Sequence, residues 1–154
     1  MSNFGIGVML KHLSGNRETV ESYHKSIGKT IKHIELSPPK EDSDRWDDDG
    51  QDTLKVTFDD GSMLTAFDGG QSCCEHRYMR TDDKFEDFVG AKLLSMELKQ
   101  APTITGEWGD EHEVQFLELM TSKGALTMAS HNEHNGYYGG FAIELKFTEA
   151  QDGQ

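Results

Sequence analysis

The chain has 154 residues, enough for one domain with its own hydrophobic core. Its 28 acidic and 15 basic residues give a formal net charge of −13. Because phosphate backbones and anionic membrane surfaces attract Lys and Arg, this balance argues against direct nucleic-acid binding and against membrane binding. No apolar run approaches the ~20 residues of a membrane span, and the N-terminus lacks the pattern of a signal peptide.

The first half of the chain predicts a helix followed by β-strands. A short amphipathic helix is expected over residues 19–26, with Gly28 just past its end, where a left-handed cap favours glycine. The alternation of apolar residues then predicts a strand, a polar loop, a hairpin and a closing strand. Their expected bounds are 30–36 for the strand, 37–51 for the loop, 53–58 with 62–67 for the hairpin, and 72–79 for the closing strand.

The second half repeats this order. Ile27 aligns with Val89 and Trp46 with Trp108, both at an offset of 62 positions, and Gly61 in the first hairpin turn aligns with Gly124 one position later. The corresponding elements are a helix over 82–88, a strand over 92–98, a loop over 99–111, a hairpin of 113–120 with 125–130, and a closing strand over 140–147. These matches predict an internal repeat of residues 19–70 and 82–147 within a single domain of residues 1–154.

The expected fold class is α+β, mainly antiparallel β. Two copies of a helix-plus-β-meander unit, related by a pseudo-two-fold axis, are the simplest arrangement of these elements. The sequence is compatible with a monomer or an oligomer.

Residues 131–140 differ from the rest of the chain. This segment, His-Asn-Glu-His-Asn-Gly-Tyr-Tyr-Gly-Gly, has no aliphatic side chain and is expected to be a long loop between two strands. Amides supply hydrogen bonds, Tyr rings supply stacking planes, and arginines neutralise anions, so such a loop is typical of a binding site. The predicted ligand-binding residues are His131, Asn132, His134, Asn135, Tyr137 and Tyr138, with Arg77 and Arg80 from the preceding strand.

Much of the second half resembles a family of small proteins of unknown function that is common in bacteriophage genomes and also present in bacteria. The resemblance rests on a Thr-Ser-Lys-Gly motif followed by the His-Asn-Glu-His-Asn-Gly-Tyr-Tyr-Gly-Gly-Phe motif, and on the segments 75–83, 89–94 and 113–117. It implies a phage or mobile-element setting. It implies no activity, substrate or cofactor.

We therefore favour a binding module for a small polar or nucleotide-like ligand over an enzyme, and expect no cofactor. A metal- or thiol-dependent enzyme using the same loop stays open, since imidazoles, carboxylates and thiols are the usual ligands of transition metals. The candidate metal ligands are His131, His134, His112 and His76, with Glu133, Cys73 and Cys74 able to complete a shell. A third alternative is an acidic decoy or protein-interaction module.

The two cysteines, Cys73 and Cys74, are adjacent. Neighbouring residues of a strand point to opposite faces, so we expect two free thiols on opposite sides of the closing strand. Free thiols indicate a reducing compartment, which predicts a cytoplasmic protein.

Overall fold

The computed structural model describes residues 8–9, 17–37, 52–69, 76–106, 109–134 and 141–150. These ranges contain one α-helix, α1 (Arg17–Ser26), one 3-10 turn (Phe85–Phe88) and ten β-strands. The strands are β1 (Val8–Met9), β2 (Ile31–Ser37), β3 (Thr53–Phe58), β4 (Met63–Asp68), β5 (His76–Arg80), β6 (Leu93–Gln100), β7 (Ile104–Thr105), β8 (Glu111–Thr121), β9 (Gly124–His134) and β10 (Ile143–Thr148). None of the helices described is both long and apolar enough to cross a lipid bilayer.

The strands form two antiparallel sheets. The first sheet has the order β10-β4-β3-β2, and the second has the order β1-β6-β8-β9-β5, with the short β7 paired to β8. Consecutive strands β3–β4 and β8–β9 are hairpins, and each turn ends on a glycine with positive φ, Gly61 at 90° and Gly124 at 119°. Glycine adopts this backbone conformation at no steric cost, which is why both turns contain it.

Both sheets contribute to one hydrophobic cluster. Residues of β3, β4 and β9 alternate between buried and less buried positions, as expected for strands with one face towards a core. Phe58 of the first sheet and Leu126 of the second are fully buried, and Tyr23 of α1 and Phe88 of the 3-10 turn pack into the same cluster. Burial of these apolar side chains is the main stabilising contribution to the fold.

Helix α1 covers an edge of the first sheet. Thr19, Ser22, Tyr23 and Ser26 are its buried residues, and their spacing places them on one face of the helix. Thr19 Oγ1 accepts the Leu145 N–H (3.1 Å), and Ser22 Oγ accepts the N–H of Phe147 on the same strand (3.0 Å). The helix therefore satisfies backbone donors of the edge strand β10 that an open sheet edge leaves unpaired.

The prediction of a second helix over residues 82–88 is wrong. The residues before the 3-10 turn bind the first part of β9: Thr81 Oγ1 donates to the Thr127 carbonyl (2.7 Å), and Asp83 accepts the Thr127 N–H (2.8 Å). Only a short segment is left before Gly90, and so few residues cannot sustain an α-helix. The described fold is mainly antiparallel β with one helix, and not two helix-plus-meander units.

The closing strand of each half pairs with the hairpin of the other half. Strand β5, from the end of the first half, lies beside β9, with Tyr78 opposite His131. Strand β10, from the end of the second half, lies beside β4, with Leu145 opposite Ala66. Each sheet is therefore built from both halves of the chain, which a simple meander does not do.

The pairing of β2 with β3 has the same register as the pairing of β6 with β8. Ile34 on β2 lies opposite Val56 on β3, and Met96 on β6 lies opposite Leu119 on β8. These pairs are related by the offsets of 62 and 63 positions found in the sequence, and the neighbouring pairs follow the same relation.

Candidate functional site

The second hairpin is longer than the first. Strands β8 and β9 have 11 residues each, whereas β3 and β4 have six each. The extra length includes His131, Asn132, Glu133 and His134 at the end of β9, so the prediction that these four residues belong to a loop is wrong. Asn135, Tyr137 and Tyr138 lie outside the described residues.

Strand alternation separates the predicted ligand-binding residues into two groups. Asn132 and His134 are buried on the inner face of the second sheet, whereas Glu133 is exposed and His131 partly exposed on the outer face. The four residues therefore do not form one surface, and only the outer face presents side chains to solvent.

The outer face carries a row of side chains in mutual contact across β5, β9 and β8. The Tyr78 and His131 rings are stacked with centroids 4.6 Å apart and planes 5° apart. His131 Nδ1 lies 2.9 Å from His112 Nε2, so one of the two imidazole nitrogens donates to the other. The Arg80 guanidinium lies over the Tyr78 ring, 5.0 Å from its centroid.

Glu133 lies beside this row and is close to two of its members, Tyr78 and His112. Its carboxylate accepts a hydrogen bond from the Tyr78 hydroxyl (2.5 Å) and lies 4.0 Å from His112 Nε2. In the strand register Glu133 stands directly opposite His112 on one side and His76 on the other. We name this group the outer cluster; its members are His76, Tyr78, Arg80, His112, His131 and Glu133.

The surroundings shift the pKa values of three members. Burial, followed by the hydrogen bond to Glu133, raises the pKa of Tyr78 to about 12. Burial, followed by the neighbouring His112 and Arg80, lowers the pKa of His131. The Tyr78 hydroxyl lowers the pKa of Glu133. At neutral pH the outer cluster therefore holds an ionised Glu133 beside a neutral His131 and a protonated Tyr78.

The inner face at the same end of the sheet is also polar. The His134 side chain has no exposed surface, and its Nε2 lies 3.1 Å from Glu113 and 3.9 Å from Glu111. The buried Ser130 hydroxyl has no hydrogen-bond partner among the residues the structure describes. His134 is thus paired inside the protein, and the sequence could not distinguish it from the partly exposed His131.

The two predicted arginines lie on β5. The backbone of Arg77 pairs with Asn132 on β9, and its side chain lies outside the described part of the structure. Arg80 donates to the Met79 carbonyl (2.8 Å) and lies 3.6 Å from the Asp52 carboxylate, so its charge is partly compensated within the protein.

Tyr78 is the member of the outer cluster that the sequence analysis missed. Residues 76, 78 and 80 alternate along β5 and so share a face, a signal that was available in the sequence. The pairing of β5 with β9, which brings this face against His131, could not be predicted from the sequence. It joins two halves of the chain that were expected to form separate units.

The metal candidates divide in the same way. His76, His112 and His131 share the outer face, whereas His134 is buried on the inner face. Within the described ranges, no group of three or more His, Cys, Asp or Glu side chains could hold a metal ion. Cys73 and Cys74 lie outside these ranges, so the expected free thiols and cytoplasmic location stay predictions.

A family model described as a domain of unknown function, DUF7448, matches residues 24–143. The chain belongs to the DUF7448 family. The match includes strands β2 to β9 and every member of the outer cluster, so the cluster lies within the DUF7448 domain. No curated protein and no solved structure matches the chain.

Proposed function

We propose that this DUF7448 protein is a small binding module and that the outer cluster is its site for a small polar ligand. The observation that carries the proposal is the row formed by Arg80, Tyr78, His131 and His112. These side chains are not part of the hydrophobic cluster that stabilises the fold. They are nevertheless held in fixed mutual positions, and preorganised groups bind a ligand at a lower entropic cost.

The chemistry of the site favours a ligand with hydrogen-bond donors. The Glu133 carboxylate is an acceptor, and each imidazole has one donor and one acceptor nitrogen when neutral. The Glu133 side chain is 47% exposed and the His112 side chain 35%, so both are accessible to a small molecule. A polar compound that bridges these two side chains fits this arrangement.

A nucleotide fits less well than a smaller polar compound. Nucleobase binding usually relies on a free aromatic face, and His131 and Arg80 both already lie against the Tyr78 ring. Phosphate binding relies on arginine, and the Arg80 guanidinium is close to Asp52. We therefore propose the small polar class, in an accessory protein of the phage or mobile-element setting that the sequence resemblance implies.

The position of the site is consistent with a duplicated chain in which the hairpin of the second copy became longer than that of the first. We propose that residues 19–70 and 82–147 are copies of one unit. The common register of β2–β3 and β6–β8 supports the duplication. The outer cluster then uses the longer hairpin, whereas the shorter hairpin of the first copy ends at Asp68, which the strand registers align with Ser130, one residue before His131.

Nuclear magnetic resonance of the side chains tests the binding proposal. The protein, labelled on His and Glu, is titrated with a panel of free amino acids, nucleosides and polyamines. We expect at least one compound to shift the signals of His112, His131 and Glu133 together, and the response to be lost in His131→Asn. A panel in which no compound perturbs the outer cluster contradicts the proposal.

His33 provides the matched control. It is an exposed histidine on the first sheet, and its Nε2 lies 3.2 Å from Glu35, so it forms a histidine–carboxylate pair outside the outer cluster. His33→Asn should leave the response unchanged. Equal shifts at His33 and at the outer cluster would indicate nonspecific association with imidazoles.

A further inference from the structure

We propose that the outer cluster binds a small organic ammonium ion at Glu133, and that proton uptake by the hydrogen-bonded pair of His112 and His131 releases it. The inference rests on the proposed function, because it names the ligand class of that site and what regulates its binding. The place of Glu133 between two histidines, the hydrogen bond between the two imidazoles and the charge of the chain support it.

Glu133 provides the negative charge that an ammonium ion requires. Its side chain is 47% exposed, and the Tyr78 hydroxyl lowers its pKa, so the carboxylate is ionised from neutral pH into mild acid. Oε2 accepts the hydrogen bond from Tyr78, and Oε1 has lone pairs for a ligand. An ammonium group has three donors and no acceptor, and it binds a carboxylate through charge-assisted hydrogen bonds.

Two histidines flank Glu133 on the neighbouring strands. In the strand register His112 on β8 and His76 on β5 stand directly opposite Glu133, and opposite residues have Cβ atoms about 5 Å apart. His76 is exposed, and the His112 side chain is 35% exposed. A neutral imidazole has one acceptor nitrogen, so an ammonium group above Glu133 can donate to the carboxylate and to an imidazole at the same time.

Arg80, the permanent cation of the outer cluster, lies at its other end. Its backbone stands opposite Ala129, four positions before Glu133 on β9, which is about 13 Å along the strand at about 3.3 Å per residue. The guanidinium lies over the Tyr78 ring and 3.6 Å from the Asp52 carboxylate. The arginine therefore leaves the ammonium position open, and the formal net charge of −13 attracts cations to the chain.

The hydrogen bond between His112 and His131 makes ammonium binding sensitive to pH. Two neutral imidazoles carry two N–H groups on four ring nitrogens. One N–H is used between His112 Nε2 and His131 Nδ1, so the pair presents one donor and one acceptor to a ligand. A third proton converts that acceptor into a donor and adds a positive charge. The pair then accepts nothing from an ammonium ion and repels it.

The surroundings of the pair favour a neutral His131 at neutral pH. The charged and titratable side chains that face the pair are His76, Tyr78 and Arg80 from β5 and Glu133 from β9, while the uncharged Ile104 of β7 stands opposite His112. Burial, followed by His112 and Arg80, lowers the pKa of His131, and Glu133 acts in the opposite direction. We expect the pair to gain a proton between about pH 7.5 and about pH 5.5, the range in which imidazoles titrate.

Nuclear magnetic resonance of the full chain, titrated with putrescine, tests the inference. The two alkylammonium groups of putrescine stay protonated from about pH 7.5 to about pH 5.5, as a lysine side chain does. Near the higher pH we expect putrescine to shift the signals of Glu133 and His112, and butanediol, its uncharged analogue, to shift neither. The dissociation constant of putrescine should rise about fivefold or more at the lower pH, because the pair loses an acceptor and gains a charge.

Substitutions separate the contributions of the carboxylate and the imidazoles. Glu133→Gln should weaken putrescine binding about fivefold or more. The double variant His112→Asn, His131→Asn should reduce the change in affinity between the two pH values, because amides do not titrate in this range. His33→Asn and Glu35→Gln, which alter the exposed pair on the first sheet, should change neither the affinity nor its pH dependence.

Three outcomes overturn the inference. The first is a protein that binds no putrescine while circular dichroism shows it to be folded. The second is putrescine binding of equal strength in Glu133→Gln, a change at an exposed side chain that tests the carboxylate even where a histidine variant does not fold. The third is an affinity that is the same at both pH values, or a pH dependence that His76→Asn abolishes and the double variant keeps.

The compound panel separates this inference from the proposed function. If a nucleoside shifts the signals of the outer cluster and putrescine does not, only the ammonium inference fails. If no compound of the panel shifts them, putrescine included, both proposals fail.

Discussion

Thr30 and Lys92 form an isolated antiparallel bridge between the two halves of the chain, and they are 62 positions apart, the offset of the aligned segments. Gly28 and Gly90 each lie two residues before one member of this bridge. Each donates its backbone N–H to a carbonyl in the opposite half, over 2.7 Å and 2.8 Å. The junction between the halves thus has equivalent residues making equivalent hydrogen bonds.

Replacing either junction glycine with alanine should destabilise the protein. Gly28 and Gly90 both have a φ of 91°, a conformation that costs a residue with a Cβ about 1–2 kcal/mol. In the described part of the chain, no atom beyond the two neighbouring residues lies within 4 Å of a Cβ at Gly28, so the cost there is conformational. A Cβ at Gly90 would contact Lys123 at 3.4 Å. Urea unfolding of Gly28→Ala and Gly90→Ala should show similar losses.

Gly28→Asn serves as the control for this pair, because asparagine tolerates positive φ better than alanine does. It should lose less stability than Gly28→Ala. Alanine variants as stable as the natural protein would show that the junction does not constrain the backbone at these positions.

The hydroxyl groups of α1 should stabilise the edge strand β10. Thr19→Val removes the acceptor of the buried Leu145 N–H, and Ser22→Ala removes that of the Phe147 N–H. A buried donor left without an acceptor costs about 1–3 kcal/mol. Hydrogen exchange should show faster exchange of the affected amide in each variant. Glu21→Ala, on the exposed face of the same helix, should leave both amides protected.

Asp52 should be important for the position of β5. It is 8% exposed, and its carboxylate accepts the N–H of the buried Met79 at 2.8 Å. We expect Asp52→Ala to lower the free energy of unfolding by about 1–3 kcal/mol, because it leaves that donor unsatisfied. Asp52→Asn keeps an acceptor oxygen and should cost less. If the two variants are equally stable in chemical denaturation, the hydrogen bond is not what holds the strand.

Sequence patterns predicted the hairpins well because their burial is regular. Strand β3 has the bounds that the alternation of apolar residues predicted, and its burial alternates residue by residue. The turns at Gly61 and Gly124 were identified because positive φ restricts the choice of residue. Where one physical requirement determines one residue type, the sequence is informative.

The candidate site was harder to predict because its strand has polar residues on both faces. Asn132 and His134 are buried although they are polar, so the end of β9 lacks the alternation of apolar residues that identifies a strand. The partner of β5 could not be derived either, because the apolar pattern of a strand determines which face is buried and not which strand lies beside it. The outer cluster depends on both features, which is why the sequence predicted His131 and missed its contact with Tyr78.

The turn between β3 and β4 should make stability depend on pH. Asp60 forms an ion pair with Lys29 and accepts hydrogen bonds from the Ser62 N–H (2.9 Å) and hydroxyl (2.5 Å). These contacts, the Lys29 interaction first, hold the pKa of Asp60 well below its ordinary value of 3.8. The folded state therefore favours the ionised carboxylate more than the unfolded state does.

When the pKa of a carboxyl group is lower in the folded state than in the unfolded state, the direction in which stability changes with pH is determined. The contribution of Asp60 is fully present above the unfolded pKa and is lost as the pH falls below it towards the folded value. The natural protein should thus be more stable than Asp60→Asn near neutral pH, and the difference should shrink below about pH 4. Urea unfolding of both proteins, from neutral pH to below about pH 4, measures this difference in stability. Asp59→Asn, on the same turn, changes the net charge equally and keeps the Lys29 and Ser62 contacts. If the difference from Asp60→Asn stays constant in acid, or if Asp59→Asn gives the same profile, the effect comes from overall charge and not from these contacts.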